Sequence, residues 1–246
     1  MTDEFHPEII AEIGVNFLGS IDLAKYMIRQ AKYCGCSTAK FQLYSVDALF
    51  PDKKIMAQGR NWYSEVKRCE LSREQVTELA TYCDGVGIEF LCSAFDLERL
   101  SWLEELHVRR HKIASLMNKN VDYLKAVCQT GKPILISCMP GDYIPFPSSL
   151  YSYLYCVPHY PTKLRELHFS QISFPYKYIG FSDHTVGIEA AMVAFAKGAQ
   201  LVEKHFTLAH DLLGPDHICS ATPEEMRRLV GFAGRMSLML GDLTTL

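Results

Sequence analysis

The chain has 246 residues, with 25 Lys+Arg against 28 Asp+Glu for a net charge of −3, and is 48% hydrophobic and 22% charged. This balance excludes fibrous and disordered classes and gives no basic surface for nucleic acid. No apolar run is long enough to span a bilayer. The nine cysteines are odd in number, include Cys92 and Cys156 within apolar runs, and form no Cys-x-x-Cys pair. With the acidic start Met1-Thr2-Asp3-Glu4, they read as reduced, mostly buried thiols of a cytoplasmic protein, and a cysteine-built zinc site is not expected.

Short apolar runs alternate with amphipathic stretches along the chain. Ile9 to Ile13 reads as a strand ended by Gly14. Ser20 caps a helix with Leu23, Met27, Ile28 and Ala31 on one face, ended by Gly35. Thr38 to Leu43 is the next strand. A long connection, 45–71, contains Pro51 and Gly59. Ser72 and Gln75 form a capping box for a helix reaching Cys83. Ile88 to Cys92 is a strand, Leu97 to Leu106 a helix, His111 to Ala114 a strand and Val121 to Thr130 a helix ended by Gly131. Pro133 to Ser137 and Tyr153 to Val157 are strands. Lys163 to Ile172 reads as a helix, Tyr178 to Phe181 as a strand and Ile188 to Lys197 as a helix. Leu201 to Lys204 is a strand, followed by a final helix from Pro223 to Leu240.

About eight strands separated by helices predict an α/β protein of the (β/α)8 TIM-barrel class, one domain over 1–246. A doubly wound open sheet is the alternative, but no Gly-x-Gly-x-x-Gly follows a strand. The stretch between Ser137 and Tyr153 holds Pro140, Gly141, Pro145 and Pro147, which oppose a helix. The fifth crossover helix is therefore expected to be shortened or absent, leaving either a compact loop or barrel surface that another chain would cover.

In a barrel, functional groups collect at the C-terminal ends of strands. Glu12, Lys40, Ser93, Lys112, Ser115, Ser137, Ser182, His184, Glu203 and His205 all fall there. Ser182 and His184 are two residues apart, as are Glu203 and His205, so each pair shares a strand face. Neighbouring strands then bring His184 and His205 together, which suits a divalent cation such as Mn²⁺ or Zn²⁺. Lys40 and Lys112 with four serines suit a phosphate or carboxylate dianion. Lys204 faces the opposite way from Glu203 and His205 and is expected to snorkel outward. His210 and His217 are expected on a solvated loop.

These segments resemble the sialic acid synthase family, barrel enzymes that condense phosphoenolpyruvate with an N-acetyl amino sugar. The resemblance runs from Ile9 to about Val230. It is carried by Ala11-Glu12-Ile13-Gly14-Val15-Asn16, Lys40-Phe41-Gln42, Lys112-Ile113-Ala114-Ser115, Tyr160-Pro161-Thr162, Gly180-Phe181-Ser182-Asp183-His184-Thr185, Glu203-Lys204-His205-Phe206-Thr207-Leu208 and Gly214-Pro215-Asp216-His217. It implies a divalent metal, Mn²⁺ first and Mg²⁺, Co²⁺ or Zn²⁺ as alternatives, on His184 and His205. It implies phosphoenolpyruvate on Lys40, Ser93, Lys112, Ser115, Ser137 and Ser182. Glu12, Tyr160 and Asp216 fall on the sugar side, and Glu203 beside the metal. Carbon 3 of phosphoenolpyruvate would attack the sugar aldehyde, water would add at carbon 2, and phosphate would leave by C–O cleavage. The resemblance does not say which of Glu12 and Glu203 is the base.

The chain departs from the family pattern in four ways. Ser93-Ala94 stands where Thr-Pro is usual, Pro158 where Asn is usual, and the fifth helix is shortened. The C-terminal antifreeze-like domain that usually gives the sugar pocket an arginine across a homodimer is absent from these 246 residues. A separate capping polypeptide would be another source of that cap. Two other readings follow: a catalytically impaired barrel acting as a binding or scaffold subunit with a partner protein, and a different metal-dependent, aldolase-type barrel enzyme.

Overall fold

The computed structural model of the chain describes residues 7–240. Eight parallel strands form the barrel: β1 (Glu8–Glu12), β2 (Thr38–Leu43), β3 (Glu89–Ala94), β4 (His111–Ile113), β5 (Ile134–Cys138), β6 (Tyr151–Cys156), β7 (Gly180–Asp183) and β8 (Leu201–His205). Their order is β3-β2-β1-β8-β7-β6-β5-β4, so each strand neighbours the next in sequence and the first pairs with the last. β3 and β4 lie side by side and complete the ring without joining the ladder. Gly180 is required where β7 meets β8, because a Cβ there would stand 2.2 Å from the Leu201 carbonyl oxygen.

Among the described residues, six helices of eight or more residues cover the outside: α1 (Ile21–Cys34), α2 (Arg73–Val86), α3 (Leu97–Glu105), α4 (Val121–Gln129), α5 (Glu189–Ala196) and α6 (Pro223–Leu240). The expected caps form. Ser20 accepts the Leu23 N–H, and Ser72 and Gln75 close their capping box. α1 buries Ala24, Met27, Ile28, Ala31 and Cys34 against the barrel, and Gly35 ends it in the left-handed conformation. No helix among the described residues is long and apolar enough to cross a membrane. All nine cysteines are free; eight are buried and Cys128 is partly so.

The barrel interior is layered. At the N-terminal end Arg110 bridges Glu8, Glu89 and the Thr38 hydroxyl. Above it Ile10, Leu91, Leu135, Leu154 and Leu201 fill the centre as one apolar plug. The polar residues at the C-terminal mouth sit on this plug, which separates them from the lower end.

Three expectations are corrected. No helix spans 163–172; instead there are 3₁₀ turns at Leu164–Glu166 and Phe169–Gln171. His168 between them adopts a left-handed backbone, φ +45°, which an α-helix cannot contain. Lys204 does not snorkel. It is fully buried, 3.0 Å from Asp183 Oδ2, and donates to the Thr185 carbonyl at 2.6 Å. α5 packs over β7 and β8 and closes the route to solvent. His217 is buried too, with Nδ1 2.8 Å from the Thr207 hydroxyl, because its loop folds back over the end of β8. His210 is on the surface as expected, beside Glu225. The fifth crossover is a loop with no helix, as the prolines indicate, and the sixth is reduced to the two 3₁₀ turns.

Two stability predictions follow from these buried groups. Asp183→Ala strands the Lys204 ammonium and is expected to cost about 3–5 kcal/mol in urea unfolding, whereas Asp183→Leu with Lys204→Met recovers most of that loss. Burial pulls the His217 imidazole down to about 4. Its folded value lies below its unfolded one, so its contribution is complete above about pH 6.5 and is lost as pH falls toward 4. His217→Gln should flatten the stability–pH curve in that window, measured as the unfolding midpoint from pH 7 to 4.5.

Candidate active site

Parallel register assembles the mouth. Glu12 lies opposite Lys40 of β2 on one side and His205 of β8 on the other. Glu203 lies opposite Ser182, and Gln42 opposite Ser93. The side chains converge on a pocket at the C-terminal end of the barrel.

Four charges are buried together there. Glu12, Lys40, Lys112 and Glu203 are each at most 5% exposed. Lys40 Nζ is 2.8 Å from Glu12 Oε2, 3.7 Å from Glu203 Oε2 and 3.4 Å from Ser93 Oγ. Lys112 Nζ donates to Ser137 Oγ at 2.8 Å and lies 3.5 Å from Glu203 Oε1. Ser182 Oγ donates to the same Glu203 oxygen at 3.1 Å, and Gln42 Nε2 donates to Glu12 Oε1 at 2.6 Å. Two cations balance two anions, so no net charge is buried.

Burial treats the two carboxyls differently. It pushes Glu12 above the usual carboxylate range, against the pull of Lys40. It pushes Glu203 upward too, but the Lys112 and Lys40 ammoniums outweigh it and hold Glu203 below that range. Burial likewise lowers Lys112, whereas for Lys40 it is outweighed by Glu12 and Glu203, and Lys40 is raised. Such opposed shifts in one cleft are characteristic of reactive sites.

His184 and His205 face each other with ring centres 5.6 Å apart. Burial pulls His184 down to about 4 and His205 well below its ordinary value, so both are neutral at pH 7. His184 Nδ1 is 3.0 Å from the Val157 carbonyl, which can only accept. Nδ1 therefore carries the proton and Nε2 keeps its lone pair, the tautomer a metal ligand needs. His205 Nδ1 makes no hydrogen bond and Asp216 Oδ2 stands 3.7 Å from it. Among the described residues no third His, Cys, Asp or Glu completes a cage. The donor set thus fits an ion held by two imidazoles with its other positions left to water or substrate. The Tyr160 ring lies over His184 at 4.1 Å and edge-on to His205 at 5.7 Å, roofing the pair.

Every residue given a metal, substrate or catalytic role from the sequence lines this pocket except Asp216, which stands behind His205. Burial, then the nearby Glu12, raises Asp216 to about 7. Pro158 is exposed and outside the lining. Gln42, Phe95, Ala114 and Cys156 also line the pocket and carry no role in the sequence reading. For Gln42 a signal exists: it is two residues beyond Lys40 on the same strand, hence on the same face. For Cys156 the signal is hidden, because a thiol in an apolar run reads as core.

Comparisons with known proteins agree with this geometry. Residues 27–140 and 148–245 match the NeuB family, and the interruption falls in the helix-less loop between β5 and β6. The chain is 35% identical over 257 residues to the N-acetylneuraminate-9-phosphate synthase of Homo sapiens, covering 96% of this chain and 72% of that protein. It is 33% identical over 263 residues to the N,N'-diacetyllegionaminic acid synthase of Legionella pneumophila, covering 95% of this chain and 73% of that one. Among solved structures, the N-acetylneuraminic acid (sialic acid) synthetase of Leptospira borgpetersenii superposes with a TM-score of 0.84 at 28% identity, over 97% of this chain and 86% of that one. The chain belongs to the NeuB family.

Proposed function

We propose that the protein condenses phosphoenolpyruvate with an amino-sugar or related aldehyde to give a nonulosonic 2-keto acid, releasing phosphate. The observation that carries this reading is the single buried mouth in which two lysines and their serines face two neutral histidines. Neither half alone specifies the reaction: the lysines and hydroxyls suit a multiply charged anion, and the histidines suit a divalent ion, Mn²⁺ first. A divalent ion on His184 and His205 would act as a Lewis acid toward the aldehyde oxygen.

The chain's own residues then have separable tasks. Lys40 and Lys112, with Ser93, Ser115, Ser137 and Ser182, hold phosphate and carboxylate so that carbon 3 faces the aldehyde. As the C–C bond forms, positive character develops at carbon 2. The Glu203 carboxylate, kept ionised between two ammoniums, stabilises that charge. Glu12, whose proton affinity is raised by burial, accepts the proton of the water that adds there. The aldehyde oxygen, which took the C=O π pair, ends as a protonated hydroxyl; the hydroxyl added at carbon 2 gives up its proton and becomes the keto C=O as the C–O bond to phosphate breaks and phosphate leaves. Tyr160 covers the histidines and limits water at the sugar side. Relatives named for different acids, N-acetylneuraminate 9-phosphate and N,N'-diacetyllegionaminate, leave the acceptor to be found by experiment.

Purified protein incubated with Mn²⁺, phosphoenolpyruvate and a panel of amino sugars should release phosphate with at least one acceptor. No release with any acceptor would overturn the assignment. Glu12→Gln is expected to lower kcat about 10²–10⁴-fold and Lys112→Ala to raise KM for phosphoenolpyruvate at least tenfold, both read by phosphate release. His205→Ala should abolish the response to added Mn²⁺.

A further inference from the structure

The strand end carrying Ser137 lacks a feature found after most strands of a (β/α) barrel. In a regular unit the chain turns into a helix whose first N–H groups face the mouth and favour anions. After β5 it instead makes a tight turn over Met139-Pro140-Gly141-Asp142. Gly141 has φ +88° and the Asp142 N–H donates to the Met139 carbonyl at 3.1 Å, the geometry of a type II turn with proline at its second position. The Asp142 side chain reaches back across that turn and accepts the Met139 N–H at 2.9 Å.

Asn118 meets it from the other side. Asn118 is 1% exposed and follows the 3₁₀ turn Ser115–Met117, which begins at a pocket serine. Its Nδ2 donates to the Ser137 carbonyl at 3.0 Å and to Asp142 Oδ2 at 3.4 Å. Ser137 Oγ in turn accepts the Lys112 ammonium at 2.8 Å. Hydrogen bonds therefore tie the helix-less turn, through a buried amide, to the backbone of Ser137, the residue whose hydroxyl meets the lysine of the pocket. Lys119 approaches the outer oxygen of Asp142 at 3.2 Å but is 68% exposed.

We propose that Asn118 and Asp142 are positioning residues that substitute for the missing fifth helix, aiming Ser137, and through it Lys112, at an anionic group of phosphoenolpyruvate. This rests on the reading of the pocket as a phosphoenolpyruvate site. The pair holds the backbone of Ser137 where a helix start would otherwise fix it, and its loss loosens one substrate and not the other.

The test is calorimetric titration of the folded protein with phosphoenolpyruvate in the presence of Mn²⁺, alongside KM for both substrates. Asn118→Leu and Asp142→Ala should each weaken phosphoenolpyruvate about tenfold, while KM for the acceptor stays within about twofold. Asp142→Asn, which retains an acceptor for the Met139 N–H, should restore most of the affinity. Lys119→Ala should leave it unchanged. An unaltered dissociation constant in Asn118→Leu, or equal weakening of both substrates, overturns the positioning role while the functional reading stands. Failure of the unmodified protein to bind phosphoenolpyruvate overturns both. Should Asn118→Leu fail to fold, the Asp142 variants, outside the core, decide the matter by the same criteria.

Discussion

The structure turns on four charges buried in the mouth of one barrel. Glu12, Lys40, Glu203 and Lys112 come from β1, β2, β8 and β4, and no two lie on one strand. Desolvating such groups is costly, and an apolar mouth of the same shape would be more stable. The cost is tolerable because the charges alternate in sign within 2.8–3.7 Å and because Ser93, Ser137, Ser182 and Gln42 supply further hydrogen bonds. The apolar plug below keeps water from reaching them from the other end. The network also divides proton affinity between two chemically identical carboxyls, which a solvated pair would not do.

The mouth is therefore both a weak point for stability and the reason the fold has this shape. Five of the eight strands contribute inward residues two apart, one to the plug and the next to the mouth: Ile10 and Glu12, Leu91 and Ser93, Leu135 and Ser137, Leu154 and Cys156, Leu201 and Glu203. The outward face, by contrast, is mostly apolar and packs under the helices. There Asp183 and Lys204 form a second buried pair that ties β7 to β8 behind the histidines.

Much of this was legible in the sequence because strand periodicity is local. Two-residue spacing alone put Ser182 with His184 and Glu203 with His205 on the right face, and the strand order brought the two pairs together. The capping residues Ser20 and Ser72 and the proline-rich crossover were equally local. What failed depended on packing from elsewhere. Lys204 points outward as read, but snorkelling requires an open route that α5 closes. His217 sits in a polar loop whose burial is decided by its return over β8. The stretch 163–172 has helical spacing, but His168 takes a left-handed conformation that spacing does not encode. Asn118 gave no signal, since its partner Asp142 is twenty-four residues away in the loop left by an absent helix.

The pairing of β1 with β8 has a consequence for how the molecule is made. Glu12 and His205 are directly registered across that ladder, yet nearly the whole chain lies between them. Contacts of such sequence separation close late and slowly. During synthesis β1 has β2 on one edge and nothing on the other until residues 201–205 emerge. The glutamate and the histidine that face each other across the mouth meet only when that last ladder forms. The Glu12–His205 side of the site therefore waits on the eighth strand, and a chain that ends before it has no complete mouth.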